Sequence, residues 1–434
     1  MLSLLKRVRG LIRNKVWQKL FENFLSLSVL QGLTFIIEFI TLPYLTNIFG
    51  STIFGLISFA LSFILFLQVV TEYGFNHSGT RDTSKNRNNP EKIQKIYSAI
   101  NLVRVVLSII CLVLLVVIIN VFEKFKQNSI IFLLLFGLII QSILSPTWFF
   151  RGIEKMKYIT IINFIGKVLL LILIFAFIKS NSDYTLYAFF IFIIAVFIGL
   201  STQIFIIKKY KMKFHKSSFA DIKFQFSNGF FMFLVYLSTN IINNLNPFIL
   251  GLVEDYSTVG IFTVGYRVIQ IFILIISLIT TTVFPHIVQL INENKAGKDV
   301  NTFSFIKKTF LLIFIIGIIS LLFLFFFADL IVKIVFGVKY VDSINVIRIL
   351  SFAPLLIGIS HTLALQILVP LEFDSVVAKI YGSSAIIDVV LCFIFIPIYG
   401  YIGLCFIILI TRVLQLVLSF LWIMRHKAKL QFLT

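Results

Sequence analysis

The stretch YSAINLVRVVLSIICLVLLVVIIN, residues 97–120, decides the class of fold. Its only charge is Arg104, and it contains neither glycine nor proline. An apolar run of about 20 residues is what a helix needs to cross about 30 Å of hydrocarbon. The polar residues Asn101, Arg104, Ser108 and Cys111 recur at three and four, which puts them on one stripe of an otherwise apolar cylinder. A charge at the bilayer centre costs several kcal/mol unless it faces a cavity or a partner. The stripe is therefore expected to face the interior of a helix bundle.

The rest of the chain has the same character. Of 434 residues 59% are hydrophobic and 13% charged, against about 25% charged in a soluble domain, and the mean hydropathy is +1.04. This excludes a soluble enzyme, a disordered chain and a disulfide scaffold. Cys111, Cys392 and Cys405 stand alone in apolar runs, so neither a disulfide nor a metal site is implied. Twelve membrane-length stretches can be read, near 23–48, 53–74, 97–120, 129–150, 158–178, 184–207, 225–252, 259–284, 308–328, 345–370, 376–397 and 401–424. β-barrel alternation is absent. The first stretch follows basic residues as a signal peptide would, but it is too long for such a segment and lacks a small-x-small cleavage site. It is expected to be retained. The expectation is an all-α polytopic membrane protein of twelve transmembrane helices.

Orientation follows from Lys and Arg. With the N-terminus inside, the inner segments hold 28 of the 38 basic residues, counting lysines at span edges, and the outer loops hold 5. Both termini are expected in the cytoplasm. Spread over loops in this way, the net charge of +20 predicts no nucleic-acid partner. Residues 1–22 carry Leu4, Val8, Leu11 and Val16 at helical spacing among six basic residues, an amphipathic segment for anionic membrane lipids. Two six-helix bundles are expected at 23–207 and 224–424, joined by a basic linker, 208–223, and followed by a basic tail, 425–434. The halves repeat at an offset of about 205: Asn23 recurs as Asn228, Pro43 as Pro247 and Gly55 as Gly260. An even number of spans per half gives both the same orientation around a central cavity, a transporter design. Prolines 43, 247, 285, 354 and 397 are expected to break or kink helices.

Five basic residues remain inside spans: Arg104, Lys167, Arg267, Arg348 and Arg412. The deep acids are Glu38 and Asp388, with Glu72 near the inner end of the second span. Surplus positive charge suits an anionic substrate such as a phosphate or diphosphate. The alternative is structural, with each acid clamping one cation, and Arg104 and Arg348 near enough to an interface to snorkel. By helical rise, Arg104 and Lys167 fall roughly 10–12 Å from the inner face, Arg412 near the midplane and Arg267 roughly 12 Å from the outer face. Glu38 is the candidate for a proton or sodium coupling site, with Asp388 second. No cofactor or catalytic residue is read: GxxxxGK[ST] is absent, and no outer loop exceeds about 17 residues.

The motifs LPYLTNIFGSTIFGLISF (42–59), PTWFFRGIEKMKYIT (146–160) and STVGIFTVGYRVIQ (257–270) carry a resemblance. With them the chain resembles the polysaccharide-transport branch of the multidrug/oligosaccharidyl-lipid/polysaccharide exporter superfamily, the Wzx-type flippases. The resemblance implies a bacterial inner-membrane protein that moves undecaprenyl-diphosphate-linked oligosaccharide repeat units outward for O-antigen, lipopolysaccharide or capsule synthesis. A polysaccharide polymerase and a chain-length regulator are the protein partners it implies. Arg267 corresponds best to a lumen cation of these proteins. Asp388 and Arg412 look like a swapped pair, which implies a salt bridge between them. Within PTWFFRG, Trp148 is expected to anchor at headgroup level and Gly152 to let the chain turn. A multidrug or lipid II exporter of the same superfamily remains the alternative. A membrane glycosyltransferase or polymerase is disfavoured, because no long outer loop and no inner Asp-x-Asp occurs.

Overall fold

The two longest helices of this protein break at glycine. The computed structural model describes residues 15–212, 215, 218–295 and 302–426. The expected amphipathic segment lies largely outside them, as do parts of the basic linker and tail. Helix α1, Lys15–Glu72, is divided at Gly50, whose φ is 68°. Helix α15, Asp374–Arg425, is divided at Gly400, φ 56°. A left-handed φ is strained for any residue with a Cβ and free for glycine. Pro43 and Pro397, expected to make these breaks, lie inside the helical arms instead.

Among the described residues every long element is helical, and nine helices are long and apolar enough to cross a membrane. Two of these, Ile36–Lys85 and Asp374–Arg425, run 50 and 52 residues. Unbroken, each would span about 75 Å, more than twice the hydrocarbon thickness. The seventh predicted span is two helices, α9 (Phe219–Asn244) and α10 (Asn246–Val253), with Pro247 in the first turn of the second. There its missing N–H costs nothing.

The chain forms two compact units. The first runs to Ile48 and resumes from Leu67 to Phe233; the second joins Phe49–Phe66 to the chain beyond Leu234. Within the first unit lie α2 (Phe75–Lys85), α3 (Pro90–Val121), α4 (Ser129–Leu135), α5 (Gly137–Leu144), α6 (Thr147–Gly152), α7 (Met156–Phe177) and α8 (Tyr184–Tyr210). The polar stripe of α3 is turned inward as its spacing predicts: Arg104 is 3% exposed and Asn101 6%, while Ile109 and Val113 on the other faces exceed half. The second unit holds α9 from Leu234 on, α10, α11 (Tyr256–Lys295), α12 (Thr302–Ile331), α13 (Ser343–Leu350), α14 (Ala353–His361) and α15. In it two repeat-related glycines meet. A Cβ on Gly55 would lie 1.6 Å from the Tyr256 carbonyl oxygen and 2.7 Å from the Gly260 nitrogen, and one on Gly260 would lie 2.0 Å from the Ser51 carbonyl oxygen. Beside them the Ser51 and Ser257 hydroxyls are 2.7 Å apart.

The PTWFFRG segment corrects an expectation. Trp148, Phe149 and Phe150 are each fully buried, packed with Phe75, Tyr97, Ile100 and Ile206. Trp148 is thus a core residue of the first unit and not a headgroup anchor. Nor does Gly152 make the turn, which falls to Glu154 at φ 56°. Gly152 is small because α2 presses on it: its Cβ would meet Thr83 Cβ at 2.5 Å. Its carbonyl accepts from Arg87 Nε at 3.2 Å and Nη2 at 3.0 Å, and Arg87 also pairs with Glu154 at 2.9 Å. Emptying this core at Trp148 costs about 3–5 kcal/mol. Trp148→Ala is expected to reduce folded protein in membranes far more than transport per molecule, as measured by fluorescence-detected chromatography. Normal abundance with abolished transport would instead assign the motif to substrate handling.

Candidate functional site

In the first unit the sequence-predicted charges fall into two groups. Glu38 on α1 and Lys167 on α7 form an ion pair, Nζ to Oε1 at 2.6 Å. It is half-exposed, with side-chain accessibilities of 53% and 35%. The pairing is the structural clamp weighed as an alternative for this acid, and it accounts for one of the five cations. One turn away along α7 is Asn163, which lines a partly open cavity of about 180 Å³ with Gln68, Glu72, Arg104, Gln141 and Ser142. Arg104 reaches it from the inward stripe of α3, and its Nη2 donates to the Ser142 carbonyl at 2.7 Å.

Glu72, read from the sequence as an acid near the inner end of the second span but not as a site residue, belongs to this cavity. It is 8% exposed. Gln68 Nε2 donates to one carboxylate oxygen at 2.9 Å and Asn76 Nδ2 to the other at 2.8 Å. Asn76 in turn accepts from the Thr147 hydroxyl at 2.7 Å, so the carboxylate is tied to the start of the buried TWFFRG helix. The spacing Gln68–Glu72–Asn76 at four and four was the available signal.

In the second unit Asp388 and Arg412 are both buried, at 0% and 3% exposure. Their hydrogen bonds go elsewhere than to each other, contrary to the salt bridge the resemblance implies. The Thr411 hydroxyl donates to Asp388 Oδ1 at 2.8 Å, while Arg412 donates to the side chains of Asn243 and Gln415. Asn243 is a second residue that the sequence reading missed. Its side chain accepts from Arg412, and its carbonyl accepts from the Tyr266 hydroxyl at 3.3 Å. Four asparagines among residues 240–246 within a membrane-length stretch were a signal, since each amide there needs a partner. Arg267 on α11 is exposed, with Nη1 donating to Gln270 at 3.1 Å. Arg348 on α13 is exposed as well. A π-helical turn, Thr362–Leu368, follows α14.

Long apolar helices with polar stripes turned inward, buried charges held by amides and hydroxyls, and a polar cavity among the bilayer-length helices define a multi-pass membrane protein. The chain belongs to the family described as "Polysaccharide biosynthesis protein", whose model matches residues 20–291. A protein of Escherichia coli K12 named "Putative O-antigen transporter" is 23% identical over 406 residues, 94% of this chain and 97% of its own length. One of the same name from Shigella dysenteriae is 26% identical over 402 residues, 91% and 97% of the two chains. Among solved structures, an inward-facing multidrug-resistance transporter of the MATE family superposes with a TM-score of 0.69 at 16% identity, covering 91% of this chain and 99% of that one. The lipid II flippase MurJ, in an inward closed conformation, matches with a TM-score of 0.69 at 16% identity, covering 94% and 89%. The architecture is therefore that of these transporters.

Proposed function

We propose that the protein is a flippase that carries undecaprenyl-diphosphate-linked oligosaccharide repeat units across the bacterial inner membrane for surface polysaccharide synthesis. The observation that carries the reading is the family match, joined by two relatives, named as O-antigen transporters, that align over nearly their whole length. The charge pattern supports it. After Glu38 takes Lys167 and Glu72 balances Arg104 in one cavity, basic residues Arg267, Arg348 and Arg412 remain along the spans against Asp388, a balance that suits a diphosphate. We further read twelve crossings with both termini cytoplasmic. The substrate moves by alternating access coupled to a proton or sodium ion, for which Glu38 is the first candidate and Asp388 the second. The Glu38–Lys167 pair supports that order, since a half-exposed carboxylate beside a lysine can exchange its partner for a cation. Multidrug or lipid II export rests on fold likeness alone and is the second reading.

The test is complementation of a strain unable to export its surface polysaccharide, using variants expressed at equal levels. Arg267→Ala is expected to abolish export and Arg267→Lys to keep part of it, because lysine retains the charge but loses the planar fork. Glu38→Gln is expected to uncouple transport. If Arg267→Ala and Glu38→Gln both exported at wild-type rates, the charged-path mechanism would be wrong. Failure of the wild-type gene to complement would overturn the flippase reading itself.

A further inference from the structure

We infer that the cavity lined by Glu72, Arg104, Gln68, Gln141 and Asn163 is a subsite for a single neutral sugar ring. The inference deepens the flippase reading and rests on it for the source of the sugar.

Charge comes first. The lining holds one carboxylate and one guanidinium, so their charges cancel. A phosphate there would face Glu72, whose oxygens already accept two amide N–H groups. A cation would face Arg104. A ligand of hydroxyls can donate to the carboxylate and accept from the guanidinium, and meets no repulsion from either.

Hydrogen-bonding capacity comes second. Gln68, Gln141 and Asn163 each carry a carbonyl acceptor and an NH2 donor on one planar group. Such a group can bridge two neighbouring hydroxyls, accepting from one and donating to the next, which is how successive ring carbons of a pyranose present themselves. Ser145 and Thr147 add hydroxyls to the wall, and Leu138 is the one apolar residue among those that line it, a place for the C–H face of a ring. The volume of about 180 Å³ is on the scale of one ring.

Rigidity comes third. Thr147, Asn76, Glu72 and Gln68 form a continuous chain of hydrogen bonds, each step between 2.7 and 2.9 Å. Arg104 is fixed to the Ser142 carbonyl. Polar groups inside a membrane protein are costly unless satisfied. This wall is preorganised, so a hydroxylated ligand orders little of the protein when it binds.

The experiment uses the full-length protein purified into lipid nanodiscs. Saturation-transfer NMR is recorded with methyl glycosides of hexoses and N-acetylhexosamines as probes. Wild-type protein is expected to transfer saturation to ring protons of at least one probe, and inorganic phosphate at equal concentration is expected not to displace it. Gln141→Leu and Asn163→Ser, the second removing the amide without adding bulk, are expected to weaken binding about tenfold or more, the cost of one lost hydrogen bond to a buried group. Unaltered elution and melting would show that both variants are folded. Transfer to no probe, full displacement by phosphate, or undiminished binding in both folded variants would overturn the subsite. Complementation separates the two readings. Lost sugar binding with intact export overturns the subsite as a station on the path and leaves the flippase reading standing. Sugar binding by a wild-type protein that restores no export overturns the flippase reading alone.

Discussion

Export is expected to stop in the double variant Ser51→Cys/Ser257→Cys under oxidising conditions and to return on reduction. The two hydroxyls are 2.7 Å apart and aimed at each other, so thiols in their place need close by only about 0.7 Å to reach the S–S length of about 2.05 Å. The residues come from repeat-related positions, 206 apart. The neighbouring Gly55 and Gly260 bring the two backbones so close that neither position has room for a Cβ. Both residues lie in the second compact unit, so the bond pins the Phe49–Phe66 arm of α1 to the head of α11, and any step of the cycle that shifts this arm is blocked. Under the proposed topology both cysteines face the oxidising side of the membrane, where disulfides form and persist. The native cysteines, all buried, should not interfere. The readouts are surface polysaccharide with and without reductant, and the mobility of the oxidised chain on a gel. A cross-linked protein that exported at the wild-type rate would show that this contact stays closed throughout the cycle.

Arg412→Met is expected to lose about 3–5 kcal/mol of stability, the usual cost of leaving one member of a buried charged group without compensation. Asp388 is fully buried and is held by the Thr411 hydroxyl, with Arg412 as the buried cation of the same region. Removing the guanidinium leaves the carboxylate uncompensated and also strips Asn243 and Gln415 of their donor. The double variant Asp388→Leu/Arg412→Met should recover part of the loss, because no buried carboxylate is left uncompensated, while Asn243 and Gln415 still lack their donor. Thermal melting of purified protein, followed by chromatography, measures both. If the single variant melts like wild type, the two charges do not compensate each other. Export by the double variant then decides the role: stable and inactive protein places these charges on the transport path, and stable and active protein makes them structural.

Much of this was readable from residue order, but the site was readable only in pieces. The stripe Asn101–Arg104–Ser108–Cys111 was predicted to face inward and does. The same rule worked for Ser384–Asp388–Cys392 and for Arg412–Gln415–Ser419, all buried. It did less for Glu38, which shares its stripe with Thr41 yet is exposed apart from its lysine. Proline was overrated as a breaker. A helix absorbs one missing hydrogen bond, whereas the sharp breaks at Gly50 and Gly400 need a left-handed φ. Trp148 was misplaced because an indole suits a membrane interface and a packed core equally well, and local sequence does not choose between them.

By itself, the sequence determined that this protein is built of membrane-length helices and, for the stripes at 101–111, 384–392 and 412–419, which side chains turn inward. Both follow from local physics: an apolar run long enough to span hydrocarbon must satisfy its backbone internally, and a period near 3.6 maps spacing directly onto a helix face. Only the tertiary structure decided the partners: Lys167 with Glu38 across 129 residues, Arg412 with Asn243 across 169, and Thr147 with Asn76 across 71, beside the polar cavity. Those pairings depend on how far each helix is shifted and rotated against its neighbours. That offset is set by packing along the whole length of both helices, and no spacing within either one records it.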